Sequence, residues 1–322
     1  MVELTVVTPI DLSRRAESLV SRTLALAEAV SAAGWQMVVG HADRGSPHDA
    51  ALRQGLASLE RVRLVPEAAP EGQANLARLR NIAAALADNE IVLLLDADIQ
   101  PDADLFAALG EQVNAGVGMA MAPCIYVSEA GMERLAKQGG AAHIVATALD
   151  YFPKYLLHWA MPSSVMAFRR EDYEALGGFC EEYEGHGYED LDFMLRLALA
   201  KGLVAETAEL LVDRPYRAPL LSEGFRNALA RLCLGNLLDG KIAFHLFHER
   251  ENADPYYRSR VDNAALFQSR FAYLKERSDR PQGAPPLISD FFDECRKRAI
   301  DPAQYHALFD ARPRHKLKRA QL

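Results

Sequence analysis

The first hundred residues alternate short apolar runs with longer stretches whose apolar residues recur at helical spacing. Leu4 to Val7 predicts a strand that ends at Thr8-Pro9. Ala16 to Ala33 has apolar positions three and four apart and stops at Gly34, which predicts a helix. Met37 to Val39 predicts a second strand, followed by a loop from Gly40 to Gly45. Val62 to Val65 predicts a third, closed by Pro66. Asn75 to Ala87 is rich in alanine and leucine and reads as helix. Ile91 to Leu95 is an unbroken β-competent run, as expected for a strand covered on both faces. This order predicts an α/β fold with a mostly parallel central sheet flanked by crossover helices. In such sheets ligands bind beyond the carboxyl ends of the strands.

The alternation fades past residue 100, and Gly, Pro and Tyr become frequent between 115 and 188. That predicts an irregular second half packed on the same sheet. Helical patterns return at Asp190 to Ala200 and over 223–238. Residues 255–322 read as mainly helical, broken by a loop around Pro281 to Pro286. There is no internal repeat or low-complexity segment.

Composition narrows the classes. The 322 residues are 50% hydrophobic and 25% charged, enough for a sizeable core. The formal net charge of -8 argues against a nucleic-acid partner. Four widely spaced cysteines form no CxxC pair, so buried free thiols and a reducing, cytoplasmic setting are expected. No signal-peptide pattern opens the chain, and the longest aliphatic run is far short of the ~20 residues a spanning helix needs. Membrane association is expected to be peripheral at most. A basic tail (Arg312, Arg314, Lys316, Lys318, Arg319) reads either as a solvated terminus or as a contact for anionic lipid.

The most informative chemistry closes the central strand, where Ile91-Val-Leu-Leu-Leu is followed by Asp96-Ala-Asp98. A bare carboxylate facing a diphosphate repels it. With a divalent cation between them it becomes a ligand, and Mg²⁺ or Mn²⁺ suits oxygen donors. Asp-x-Asp alone is a weak pattern, and it recurs at Asp102/Asp104 and Asp190/Asp192. Only the first copy follows a buried strand. Asp102 and Asp104, just after Pro101, suit helix capping instead. A second cluster, Glu189, Asp190 and Asp192, follows Gly177-Gly178-Phe179 and the turn Gly185-His186-Gly187-Tyr188. Helix-dipole electrostatics alone accounts for acids at that helix start.

The stretch from Asn75 through Arg78, Arg80 and Asn81 to Asp96 and Asp98 resembles the signature of family-2 glycosyltransferases with the GT-A fold. The Gly-Gly-Phe…Glu-Asp element resembles the acceptor motif of bacterial chondroitin-type polymerases and β-1,4-galactosyltransferases, with His186-Gly-Tyr where Trp-Gly-Gly is usual. The resemblance implies Asp98 at a metal ion, Asp96 at the ribose or metal, and Arg78 or Arg80 near the nucleotide. It implies Asp190 as the base for an acceptor hydroxyl, Glu189 as its hydrogen-bond partner, and inversion at the anomeric carbon. It also implies that Thr8 and Pro9 line the nucleobase pocket, that Arg14 reaches a phosphate and that Asp43 contacts the base. Trp159, ahead of Ser163-Ser164, reads as a core residue before a sugar-stacking one.

His245 and His248 lie three apart, a spacing that is weak by itself among nine histidines. The β-1,4-galactosyltransferases place Met-x-x-His here, so the resemblance implies His248 as a metal ligand and His245 as a second candidate. Against the resembled pattern, residues 213–238 stand as an insertion, and 249–260 are expected to be a loop that orders over bound donor.

The expected organisation is a nucleotide-sugar-binding half over 1–105, an acceptor half over 106–260 and a helical C-terminal extension over 261–322. The expected function is transfer of a sugar from a nucleotide-sugar donor, UDP being the commonest nucleotide, to a glycan or glycolipid acceptor of a surface polysaccharide. A nucleotidyltransferase on a similar sheet would need a Gly-rich phosphate loop after the first strand, and Thr8-Pro-Ile-Asp-Leu-Ser lacks the glycines. A non-catalytic carbohydrate-binding protein would be expected to have lost Asp98 or Asp190.

Overall fold

Four strands of the main sheet come from the first hundred residues: β1 (Thr5–Asp11), β2 (Gln36–Asp43), β3 (Val62–Ala68) and β4 (Ile91–Leu94). β1 runs parallel to both β2 and β4, and β2 parallel to β3. Antiparallel to β4 lies the strand Met166–Arg169, and the sheet closes with the two-residue strand Ala120–Met121. The computed structural model describes residues 2–69, 72, 74–138, 155–216, 218–249, 255–277 and 286–309. The basic tail lies outside them, as do 278–285 and the centre of the loop expected over 249–260.

Two strands run through the prolines expected to end them. β1 continues past Pro9 to Asp11, and β3 past Pro66 to Ala68. β4 stops pairing with β1 at Val7↔Leu94, so Pro9 has β2 on one flank only. β3 is an edge strand. Proline is tolerated where the ladder does not require its missing N–H. β2 likewise extends through the loop expected from Gly40 and reaches Asp43.

The chain clusters into two compact units. One comprises Met1–Ala120, Ser164–Lys201 and Arg250–Arg270, and the other Met121–Ser163, Gly202–Glu249 and Phe271–Leu322. In the first, α1 (Ala16–Ala32), α2 (Pro47–Leu56), α3 (Leu76–Ala84) and α4 (Ala103–Asn114) link the strands. Asn75 caps α3 by accepting from the Arg78 N–H at 2.9 Å. Asp102 caps α4 by accepting from the Leu105 N–H at 3.0 Å, the capping role expected of it. Gly40 lets α3 sit close against β2, since a Cβ there would stand 2.0 Å from the Leu79 carbonyl oxygen. That contact sets the height of the next residue, Arg80.

The second unit contains a three-stranded sheet ordered Ala243–His245, Cys124–Val127, Leu156–Ala160. The helix expected over 223–238 is two helices, Phe225–Leu232 and Leu234–Leu238. They divide at Cys233, whose N–H bonds the Ala230 carbonyl three residues back rather than four. Helix Leu287–Arg298 buries Leu287, Phe291 and Cys295. Trp159 is 1% exposed, as a core residue should be. All four cysteines are free, three of them buried, and burial pushes the Cys233 thiol up to about 12. Among the described residues, no helix is long and apolar enough to cross a membrane.

Candidate active site

At the carboxyl end of β4, within the first unit, Arg80 joins the two acid motifs. Its Nη2 donates to Asp96 Oδ1 at 3.1 Å and its Nη1 to Glu189 Oε1 at 2.8 Å. The Arg80 side chain is 4% exposed. Burial alone would lower its pKa, but the carboxylates of Glu189, Asp96 and Asp190 raise it above the ordinary arginine value. Asp96 also accepts from Ser164 Oγ at 2.8 Å, so both of its oxygens are engaged.

Glu189 opens the helix Glu189–Ala200 and is buried. Burial and the neighbouring Asp190 raise its pKa, against the opposing pull of Arg80. Its Oε2 is buried with no hydrogen-bond partner, an acceptor left for a donor that the protein does not supply. Asp190 follows directly, is partly exposed, and takes the Leu191 N–H on Oδ1 at 2.8 Å. The third acid has a structural job. Asp192 is fully buried and accepts from Arg196 at 2.6 Å, Arg270 at 2.7 Å and the Tyr183 hydroxyl at 3.2 Å. Arg196 in turn donates to the carbonyls of Leu176 and Gly178, which fixes the glycine loop.

Asn81, next to Arg80, holds the other side of that loop. Its Oδ1 accepts from the Phe179 N–H at 2.9 Å and the Tyr173 hydroxyl at 2.7 Å. Its Nδ2 donates to the Phe179 carbonyl at 3.0 Å and to Glu181 at 2.8 Å. Gly178 has φ +73°, and a Cβ there would meet Tyr173 Oη at 2.7 Å and Asn81 Oδ1 at 2.8 Å, so glycine is required. The turn before Glu189 is latched by Asn263 of the helix Arg260–Arg270, which donates to the carbonyls of Glu184 and Gly187. The Tyr256 carbonyl accepts the His186 N–H at 3.0 Å.

The remaining expected residues divide. Asp98 is 6% exposed and pairs with Arg15 at 3.0 Å and with Arg22. Thr8 is buried in β1, and its Oγ1 has no hydrogen-bond partner; Pro9 follows it, opposite Gly40. Arg14 lies 3.8 Å from Asp11 and stacks on the Tyr256 ring at 3.7 Å. Asp43 at the end of β2 binds Arg53 at 2.6 Å and the Gly45 N–H at 2.9 Å. Arg78 is turned away from the Asp96 cluster, toward Glu67 at 2.7 Å and Glu181 at 3.4 Å.

His245 and His248 belong to the second unit. Tyr126 stacks on both His245 and His158, each with ring centroids 4.1 Å apart, because the three are cross-strand neighbours. The Nδ1 atoms of His245 and His248 lie 2.9 Å from the carbonyls of Leu246 and Glu249. Each Nδ1 therefore donates to a carbonyl, which in the neutral ring leaves Nε2 as the nitrogen with the lone pair, the form in which imidazole binds a metal. Ligand nitrogens of the two rings lie within 4.8 Å of each other.

Ser164, Asn263, Arg15 and Arg22 are contributors to which sequence reasoning gave no role. Asn81 was placed beside Arg80 in the resembled signature, but without a role of its own.

Residues 6–273 match the profile of Glycosyltransferase like family 2. The chain belongs to that family. The match takes in the Arg260–Arg270 helix that latches the acid motif. No curated protein sequence compared with the chain matches it. Among solved structures it is similar to S. aureus TarS 1-349, at 14% identity over 61% of this chain and 55% of that one, TM-score 0.39. It is similar to the catalytic domain of Drosophila β1,4-galactosyltransferase 7 in complex with xylobiose, at 13% identity over 63% of each chain, TM-score 0.32. It is also similar to the mannosyltransferase PcManGT from Pyrobaculum calidifontis in complex with GDP-Man and Mn²⁺, at 17% identity over 96% of this chain and 85% of that one, TM-score 0.40. The chain thus spans less than two thirds of the first two.

Proposed function

We propose that the chain is a metal-dependent, inverting glycosyltransferase that moves a sugar from a UDP-linked donor to a hydroxyl of a glycan or glycolipid, in the synthesis of a surface polysaccharide. Asp190 takes the proton from the acceptor hydroxyl as its oxygen attacks the anomeric carbon. Glu189 Oε2 accepts a hydrogen bond from a second acceptor group. Asp96 contacts the ribose or the metal, and Thr8 Oγ1 the base or ribose.

Asp98 offers hard oxygen atoms of the kind Mn²⁺ or Mg²⁺ takes, now paired with two guanidiniums. His248 and His245, in the second unit, each offer imidazole nitrogen, a donor that Mn²⁺ also accepts. Such a cation, when bound, stabilises the leaving diphosphate as a Lewis acid.

The observation that supports this reading most is the Arg80 bridge between Asp96 and Glu189. One buried cation ties the strand end expected at the donor to the acids expected at the acceptor. Its neighbour Asp190 is left partly exposed beside a buried, unpartnered carboxylate oxygen.

Two variants test it. Asp98→Ala should lose metal-dependent donor binding. Asp190→Asn should keep donor binding and lose transfer by at least about 100-fold, the usual contribution of a positioned base. Transfer by Asp190→Asn at the wild-type rate would place the base elsewhere.

A further inference from the structure

Asp98, read above as a metal ligand, already carries the positive charge of a divalent cation on its two oxygens. Arg15 forks onto it, with Nη1 donating to Oδ1 at 3.2 Å and Nη2 to Oδ2 at 3.0 Å. Arg22 Nη1 donates to Oδ1 as well. Both arginines come from the start of α1. Arg15 is the residue before its first turn, held at φ 50°, and Arg22 lies seven positions on, two turns along the same face. The side chains are 29% and 15% exposed, and that of Asp98 is 9%. Such a pairing neutralises a nearly buried carboxylate well. It also covers the oxygens that a cation would need.

We propose that Arg15 and Arg22 are donor-phosphate-binding residues that stand in for the cation on Asp98 and pass to the donor's diphosphate when the cation arrives. The inference rests on the reading of Asp98 as a ligand. A cation and two guanidiniums cannot share one carboxylate without mutual repulsion. The diphosphate supplies the destination, because a guanidinium fork suits phosphate oxygens as well as carboxylate oxygens. A cation arriving alone must displace two guanidiniums from Asp98 and offers them no anion in exchange. A cation arriving with a nucleoside diphosphate brings phosphate oxygens that can receive them. Cation and nucleotide must therefore bind cooperatively, each strengthening the other by the same factor.

The experiment measures Mn²⁺ affinity of the full chain by the electron paramagnetic resonance signal of free Mn²⁺, alone and with saturating UDP, GDP or dTDP. In the wild type at least one nucleotide should tighten Mn²⁺ binding by about tenfold or more. In Arg15→Gln and Arg22→Gln, Mn²⁺ alone should bind about tenfold tighter than in the wild type, with most of the nucleotide enhancement lost. Arg22→Lys keeps the competing charge and should retain the weak Mn²⁺ binding; it also provides a readout if a glutamine variant fails to fold. Wild-type coupling with unchanged Mn²⁺ affinity in both glutamine variants overturns the exchange alone. A wild type that binds no Mn²⁺ with any nucleotide overturns the reading of Asp98, and the exchange with it.

Discussion

Arg80 and Glu189 are 109 residues apart in the chain and meet at 2.8 Å in its interior. The same guanidinium reaches Asp96 at 3.1 Å, so one side chain sets the spacing between the end of the central strand and the acid motif. The neighbouring Asn81 fixes the glycine loop that leads into that motif. Two consecutive residues of α3 thus organise both halves of the candidate site.

Removing the bridge should be costly. Arg80→Met leaves Glu189 and Asp96 without their shared cation, and breaking a buried pair from one side typically costs about 3–5 kcal/mol. Urea unfolding of the variant should show a loss of that order. A loss under about 1 kcal/mol, the level of an exposed pair, would mean the bridge does not form in solution.

Asn81→Ala should act on the acceptor side. It strands the Phe179 N–H and the Tyr173 hydroxyl and loosens the loop before Glu189. Stability should fall by about 1–3 kcal/mol, the cost of orphaned buried polar groups. The acceptor KM should rise while donor affinity holds, and initial rates with each substrate varied separately distinguish the two. A matched loss of donor affinity would contradict the division of roles.

The two motifs were legible in the sequence because their signals are local. A five-residue apolar run ending in Asp96 and Asp98 marks a buried strand end, and Gly177-Gly178 marks a backbone with positive φ, found at +73° for both. What joins the motifs was not legible. Ser164 meets Asp96 from 68 residues away, Asn263 meets Gly187 from 76, and Arg15 meets Asp98 from 83. No local periodicity encodes such pairings. Pro9 and Pro66 misled for the opposite reason. As local signals they stop strands, but each lies on a flank where the sheet makes no demand on its nitrogen.

Glu189 should leave a pH signature on stability. Burial and Asp190 hold its pKa above the ordinary 4.5. Below 4.5 the folded and unfolded chains are both protonated there, and its contribution is fully present. As pH rises through the raised folded value, the folded chain retains a proton that the unfolded chain has released, so stability falls. Glu189→Gln removes that slope. Urea midpoints from below pH 4.5 to neutrality should show the variant gaining on the wild type as pH rises. Parallel curves would contradict the raised pKa.

The central claim is that Asp98 and its partners form a cation-dependent site for a nucleotide sugar. Thermal unfolding of the full chain with a panel of nucleoside diphosphate sugars, in Mn²⁺ and in EDTA, tests it most directly. At least one donor should raise the unfolding temperature in Mn²⁺, lose the effect in EDTA, and lose it in Asp98→Ala. Stabilisation by no nucleoside diphosphate sugar, with or without metal, would contradict the account.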